Sequence, residues 1–226
     1  VNHVYSVNIA HAVPFLCIEF SPYQNLKQRL RSEYDLINYH ANTVVNDALR
    51  GLGYLHDQGW VHCDVKPDNF LVDDEGHCKL IDFALAVKAA KGLGKLFGGG
   101  KSKTVSGTRS YMSPEQIRHK SLDCRSDIYS LGCMFTELTT GKLPFTGDTP
   151  ENLLQKHVHA KAPPLNSINY NVTQEFSDLV EEMLAKKPVD RPDSIAVILR
   201  RLDAMRIYRA NPKHPSEMLH DEDAEF

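Results

Sequence analysis

No stretch of this 226-residue chain approaches the ~18 uninterrupted apolar residues that a membrane-spanning helix needs. A basic excess is also missing. Lys plus Arg total 26 against 29 for Asp plus Glu, a net charge of -3, which argues against a general nucleic-acid binder. No C-x-x-C pair occurs, and the five cysteines (17, 63, 78, 124 and 133) are odd in number. They read as reduced intracellular thiols rather than a disulfide framework. No methionine precedes Met112 and no signal-peptide pattern opens the chain, so a piece of a longer or processed product is expected. What is present is ordinary for a globular protein: 42% hydrophobic, 8% aromatic and 24% charged residues. Those proportions exclude disordered, collagen-like and disulfide-scaffold classes, and the length fits one large domain or two small ones.

Residues 13–20 read as a short buried strand ending at Ser21-Pro22. From Leu36 the apolar positions 36, 37, 41, 44, 45, 48, 49, 52 and 55 follow the helical period, and Gly59 lies just past the end. Phe70-Leu71-Val72 and Lys79-Leu80-Ile81 flank Asp73-Asp74-Glu75-Gly76-His77, a turn sequence, and predict a β-hairpin. Between Phe83 and Pro114 no acidic residue occurs, whereas Lys88, Lys91, Lys95, Lys101, Lys103 and Arg109 do, together with Gly92, Gly94, Gly98, Gly99 and Gly100. So long a glycine-rich loop is usually functional or mobile. Helical period returns at Ile128, Leu131, Met134, Phe135 and Leu138. Thr149-Pro150 caps a helix to about Ala160, and two more are expected over Phe176–Leu184 and Ile195–Ile207. The tail from Asn211 carries Asp221, Glu222, Asp223 and Glu225 and is expected to be disordered.

Chemistry concentrates in residues 62–69, His-Cys-Asp-Val-Lys-Pro-Asp-Asn, succeeded thirteen residues after Asn69 by Asp82-Phe83-Ala84. The helix delivers Asp64 into a tight loop, and the hairpin after that loop presents Asp82 at the same end. Asp64, Lys66, Asn69 and Asp82 together offer two carboxylates, an amide oxygen and an ammonium. Such a set suits Mg²⁺ and phosphate, because Mg²⁺ takes hard oxygen ligands and retains substrate phosphates. Asp64 is then free to orient a hydroxyl while Lys66 neutralises charge on a transferring phosphoryl group.

This segment resembles the catalytic loop H-R-D-x-K-x-x-N and the D-F-G motif of the eukaryotic-type protein kinases, in particular the bacterial-type (Hanks) serine/threonine kinases. Further motifs stand in the family's order. Gly107 to Glu115, ending Ser-Pro-Glu, resembles the end of the activation segment. Asp127-Ile128-Tyr129-Ser130-Leu131-Gly132 resembles the helix whose Asp holds the catalytic loop, and Arg191 matches the arginine that pairs with Glu115. The resemblance implies an α+β, protein-kinase-like fold: a mainly helical large lobe with a small β-hairpin and the hinge strand. It divides the chain into 1–20, a remnant of the N-terminal lobe, 21–210, the C-terminal lobe, and 211–226, the acidic tail. The rest of the small lobe, with its G-x-G-x-x-G strands, lysine and partner glutamate, is expected upstream of Val1.

By the same resemblance, Asp64 is the catalytic base, with Lys66 and Thr108 the serine/threonine pattern, and Asn69 and Asp82 hold Mg²⁺. Ile18, Glu19, Phe20 and Ser21 form the hinge that receives ATP, with Ile18 as gatekeeper, and Leu71 is the floor under adenine. His62 packs under Phe83, and Thr104 or Ser106 is the expected phosphorylation site. The implied activity is transfer of the ATP γ-phosphoryl group to Ser or Thr of protein substrates, in the cytoplasm, either freely or as the cytosolic part of a membrane-anchored protein. No nucleic acid is expected as a partner. A pseudokinase or truncated kinase acting as a scaffold is the alternative.

Two substitutions depart from the family pattern within this chain. Cys63 stands where most members have an arginine that receives an activation-loop phosphate. Ala84 replaces the glycine after Asp-Phe, where a positive φ would cost alanine roughly 1 kcal/mol. Gly94 to Ser102 nearly spells a phosphate loop, but Lys95 occupies the required first glycine and no strand precedes it. That stretch reads as a flexible insertion in the activation segment. His62, Cys63 and Cys78 lack the second close ligand pair of a zinc site.

Overall fold

The structure, a computed structural model, describes residues 3–9, 13, 15–89 and 109–217. The stretch 90–108, with Thr104, Ser106, Thr108 and the glycine-rich insertion, lies outside the described residues, as does 218–226 of the tail.

Strands β1 (Val4–Asn8) and β2 (Phe15–Ile18) pair antiparallel, with Val7 opposite Leu16. The strand expected to be buried over 13–20 is instead exposed along all of β2. A two-stranded ribbon buries a face only against a further layer, and among the described residues none lies over it. Helix α1 (Leu26–Ser32) opens with a reciprocal capping box. The Gln28 N–H donates to the Asn25 side chain at 2.9 Å, and the Asn25 N–H donates to the Gln28 side chain at 3.1 Å.

The helical period from Leu36 is realised as two helices, α2 (Tyr34–Tyr39) and α3 (Ala41–Asp57), with His40 between them. Hydrogen bonds from His40 N–H to Leu36 C=O and from Val44 N–H to His40 C=O, both 3.1 Å, carry the chain across the junction. The apolar stripe therefore stays in phase and buries Val44, Val45, Ala48, Leu49 and Leu52. Strand β3 (Trp60–Val61) comes next, then a 3₁₀ turn at Pro67–Asn69 and the hairpin of β4 (Phe70–Val72) and β5 (Cys78–Leu80). Phe70 faces Leu80 across that hairpin. Strand β6 (Val87–Lys88) returns to pair with β3.

The α-helices that follow among the described residues are α4 (Pro114–Ile117), α5 (Cys124–Thr140), α6 (Pro150–His159), α7 (Leu165–Ile168), α8 (Gln174–Met183) and α9 (Ile195–Leu202). Every residue of α5 from Ser126 to Thr139 is buried. A helix apolar or satisfied all round belongs at the centre, and α5 packs against α2, α3, α7, α8 and β3. Helix α9 stops at Leu202, short of the expected Ile207. Residues 207–209 are drawn instead into bonds with the start of α8: Thr173 N–H to Ile207 C=O at 3.0 Å and Arg209 N–H to Asn171 C=O at 2.8 Å. Beyond them the His214 ring meets Tyr39 edge-on at 5.0 Å.

The hairpin turn is tightly fitted. Gly76 has φ 81°, and a Cβ there would lie 2.4 Å from the Cβ of His40. Left-handed backbone and lack of space act together, so Gly76→Ala should destabilise the domain by about 2–4 kcal/mol in urea unfolding.

His157 is fully buried, its Nδ1 3.0 Å from the Tyr129 hydroxyl and its ring 4.9 Å from Phe145. The Lys186 ammonium lies 3.4 Å from the same hydroxyl. Burial, then the Lys186 charge, pushes the imidazole down from 6.5 to about 4. Between those values the unfolded chain binds a proton that the folded chain refuses, so stability falls as pH drops from about 6.5 toward 4. In His157→Asn that part of the decline should disappear, as read from urea midpoints between pH 4.5 and 6.5.

Candidate active site

The loop after β3 is fixed by one carboxylate. Asp127, in the first turn of α5 and 1% exposed, accepts the His62 N–H on Oδ2 at 2.7 Å and the Cys63 N–H on Oδ1 at 2.8 Å. His56, on the last turn of α3, brings its Nε2 to 2.8 Å from Oδ2. His62 is itself fully buried and ties the loop to the hairpin exit. Its Nδ1 accepts the Asp64 N–H at 3.3 Å, which leaves Nε2 as the donor to Ile81 C=O at 3.3 Å. Its ring meets Phe83 at 5.4 Å.

Three of the candidate polar residues are joined directly. The Asp64 Oδ2 accepts from Lys66 Nζ at 2.7 Å and from Asn69 Nδ2 at 3.2 Å, and the same Nδ2 reaches Asp64 C=O at 2.7 Å. Asn69 is 4% exposed and is set in place by the 3₁₀ turn that Pro67 begins. Asp82 is tied in through the backbone: Ile81 N–H donates to Asn69 C=O at 2.9 Å, so the next residue leaves the hairpin beside Asn69. The Asp82 side chain is exposed and accepts the Ala84 N–H at 3.2 Å.

The backbone strain falls on residues other than the expected one. Positive φ occurs at Asp82 (61°) and Cys63 (66°), and Ala84 is not among the residues with positive φ. Aspartate tolerates the left-handed region better than alanine. The Asp82-to-Ala84 bond is the local turn that supports it. Cys63 turns its Sγ back to Val61 C=O at 3.6 Å, and burial, then the charge of Asp127, pushes its thiol up to about 12. It is a neutral packing group.

The Nδ2 of Asn69 is committed to Asp64, so its Oδ1 is the atom available to a cation. With the Asp82 carboxylate it gives two hard oxygen donors at one end of the hairpin. Among the described residues no three His, Cys, Asp or Glu side chains converge on one point. Few protein ligands completed by substrate phosphates and water is the pattern Mg²⁺ adopts, so this donor set fits that ion.

Of the hinge candidates, Ile18 is 51% and Phe20 85% exposed. Glu19 forms an ion pair with Lys79, and that contact, with the His3 N–H, holds its carboxyl below the usual range. Lys79 lies opposite Leu71 in the hairpin, and Leu71 bridges to Asn25, so the segment after the hinge is fastened to β4. A cleft of about 480 Å³ lined by His159, Lys161, Asp178, Glu181 and Lys186 lies at the ends of α6 and α8 and includes none of the candidate site residues.

Behind the loop, Glu115 and Arg191 form a buried bidentate pair at 2.7 and 2.9 Å. The guanidinium also donates to Ala185 C=O and Arg125 C=O, and Ser126 Oγ donates to Glu115 at 2.7 Å. Burial pushes the Glu115 carboxyl up, and the Arg191 and Ser126 bonds more than reverse it, leaving it below 4.5. This contribution to stability is therefore present above about 4.5 and lost as pH falls below it. Glu115→Gln strands a buried guanidinium and should cost about 3–5 kcal/mol in urea unfolding.

Two residues of the site escape a reading of the sequence. His56 continues the buried face Leu49-Leu52 at helical spacing, which is the signal that marks it. Gln116 donates to Cys63 C=O at 2.7 Å, and its spacing from Ser113 spells a capping box.

Comparison with known proteins agrees with this geometry. The protein kinase domain family matches residues 1–201. Serine/threonine-protein kinase PknB of Mycobacterium tuberculosis is 32% identical over 212 residues, 94% of this chain and 33% of that protein. PknL of the same species is 36% identical over 187 residues, 81% of this chain and 45% of the relative. PknB of Mycolicibacterium smegmatis is 31% identical over 209 residues, covering 92% and 33%. The chain thus spans between a third and a half of the length of these relatives. A loop hung on a buried helix carboxylate, an Asn beside an Asp at the hairpin exit, and a family match over most of the sequence lead to one assignment: the chain belongs to the protein kinase domain family.

Proposed function

We propose that this domain transfers the γ-phosphoryl group of ATP to Ser or Thr hydroxyls of protein substrates. The observation that carries the reading is the Asp64–Lys66–Asn69 cluster, held by direct hydrogen bonds on a loop that Asp127 fixes. The mycobacterial relatives are serine/threonine-protein kinases, which supports the same substrate class.

Asp64 orients the attacking hydroxyl and accepts its proton as the new O–P bond forms and the bond from the γ-phosphorus to the β–γ bridging oxygen breaks, with ADP as the leaving group. Lys66 sits 2.7 Å from Asp64 and offers an ammonium to the transferred group, offsetting negative charge there. Asn69 Oδ1 and Asp82 hold Mg²⁺, which supplies charge neutralisation on the phosphates when bound. Exposed Ile18 and Phe20 and the floor residue Leu71 give the base an apolar surface, with Glu19 and Ser21 in the same segment. Thr108 is assigned to the substrate platform and Thr104 or Ser106 to regulatory phosphorylation, on the resemblance alone. We place the domain in the cytoplasm, either freely or as the cytosolic part of a membrane-anchored protein. No helix among the described residues is long and apolar enough to cross a membrane, and the five cysteines are free thiols.

The scaffold alternative draws its support from Cys63 and Ala84. Neither damages the site: Cys63 carries the loop through its peptide groups, and Ala84 is unstrained. In the full-length protein, Asp64→Asn should lower Mg²⁺-ATP-dependent phosphorylation by about 10²–10⁴-fold. Equal labelling by wild type and variant would return the domain to the scaffold reading.

A further inference from the structure

Residue 63 carries a positive φ without being glycine, a conformation that persists only where its surroundings over-determine it. The bonds that do so come from two directions. The Cys63 N–H is held by Asp127 on α5 at 2.8 Å, and the Cys63 C=O by Gln116 Nε2 on α4 at 2.7 Å. The second bond grips the peptide that leads directly into Asp64. Rotation of that peptide would move the Asp64 N–H off His62 Nδ1 and carry the carboxylate away from Lys66 and Asn69.

Gln116 is itself fixed. Its Oε1 accepts the Ser113 N–H at 3.0 Å and lies 3.1 Å from Ser113 Oγ, so the amide nitrogen is the end turned to Cys63. Its neighbour Glu115 is clamped by Arg191 in the core. The turn Ser113–Gln116 is therefore a rigid bracket, and the Gln116 side chain runs from it to the strained residue next to Asp64.

We propose that Gln116 is a positioning residue: its amide clamps the Cys63–Asp64 peptide and couples the Ser113–Gln116 turn to the placement of the Asp64 carboxylate. The clamp itself rests on geometry, and its effect on turnover rests on the phosphoryl-transfer reading. Movement of that turn is then felt at Asp64 through one hydrogen bond between neutral groups, without any charged side chain at position 63.

The test compares Gln116→Glu and Gln116→Met with wild type in the full-length protein. Glutamate keeps the acceptor for Ser113 and loses the donor to Cys63, whereas methionine keeps the size and loses both. Three quantities are read: kcat and KM for ATP, hydrogen exchange of the Cys63, Asp64 and Val65 amides, and Tm. Both variants should lower kcat by about 10- to 100-fold. KM for ATP should stay within about twofold, because no hinge residue is touched. Exchange at Asp64 should quicken while the α5 amides keep their protection. Unchanged exchange at Asp64 overturns the clamp, as does a loss of activity that merely tracks the unfolded fraction. If wild type itself transfers no phosphate, the phosphoryl-transfer reading fails, and the exchange data alone decide the clamp.

Discussion

A single buried carboxylate sets the conformation on which the site depends. Asp127 is nearly inaccessible, and an ionised group so placed is costly unless its oxygens are satisfied. Two peptide N–H groups and one imidazole nitrogen converge on it. They can do so only if the chain at His62 and Cys63 adopts the sharp path that ends at Asp64. The carboxylate is fixed because α5 is enclosed on all sides, so the core of the domain and the path of the loop are one mechanical unit.

The second anchor is the Glu115–Arg191 pair, which bears little directly on chemistry. Breaking a buried pair is far more costly than the pair is worth in net stability, so it acts as a fixed point rather than a store of energy. It pins the turn Ser113–Gln116 against the α8–α9 connection, and the turn in turn reaches Cys63. The loop thus hangs between two supports: Asp127 on its amide side and Gln116 on its carbonyl side. Lys66, Asn69 and the hairpin complete the site from the remaining direction.

What could be read in the sequence was local. The helical stripe from Leu36, the hairpin around Asp73–Gly76 and the run His62–Asn69 each carry their signal within a few residues; the hairpin formed within one residue of its expected bounds, and the stripe formed as two helices that stay in phase across His40. Burial of β2 was not legible, because an apolar strand looks the same whether or not a layer covers it. The extra length expected for α9 failed because Ile207–Arg209 found partners at Asn171 and Thr173, a long-range competition that helical period does not record. The left-handed residue proved to be Asp82 rather than Ala84, since the choice rests on the backbone geometry of the turn. His56 and Gln116 contact residues 71 and 53 positions away, so their partners became visible only in the folded chain. Thr104, Ser106 and Thr108 lie outside the described residues.

Whether the Asp64 loop and the hairpin exit form one phosphoryl-transfer centre is tested most directly by a crystal structure of the full-length protein with Mg²⁺ and a non-hydrolysable ATP analogue. The ion is expected within about 2.1 Å of Asn69 Oδ1 and an Asp82 oxygen, with Lys66 Nζ on the terminal phosphate and Asp64 facing the open side of that phosphate. A nucleotide bound elsewhere, or a metal that engages neither Asn69 nor Asp82, would contradict it.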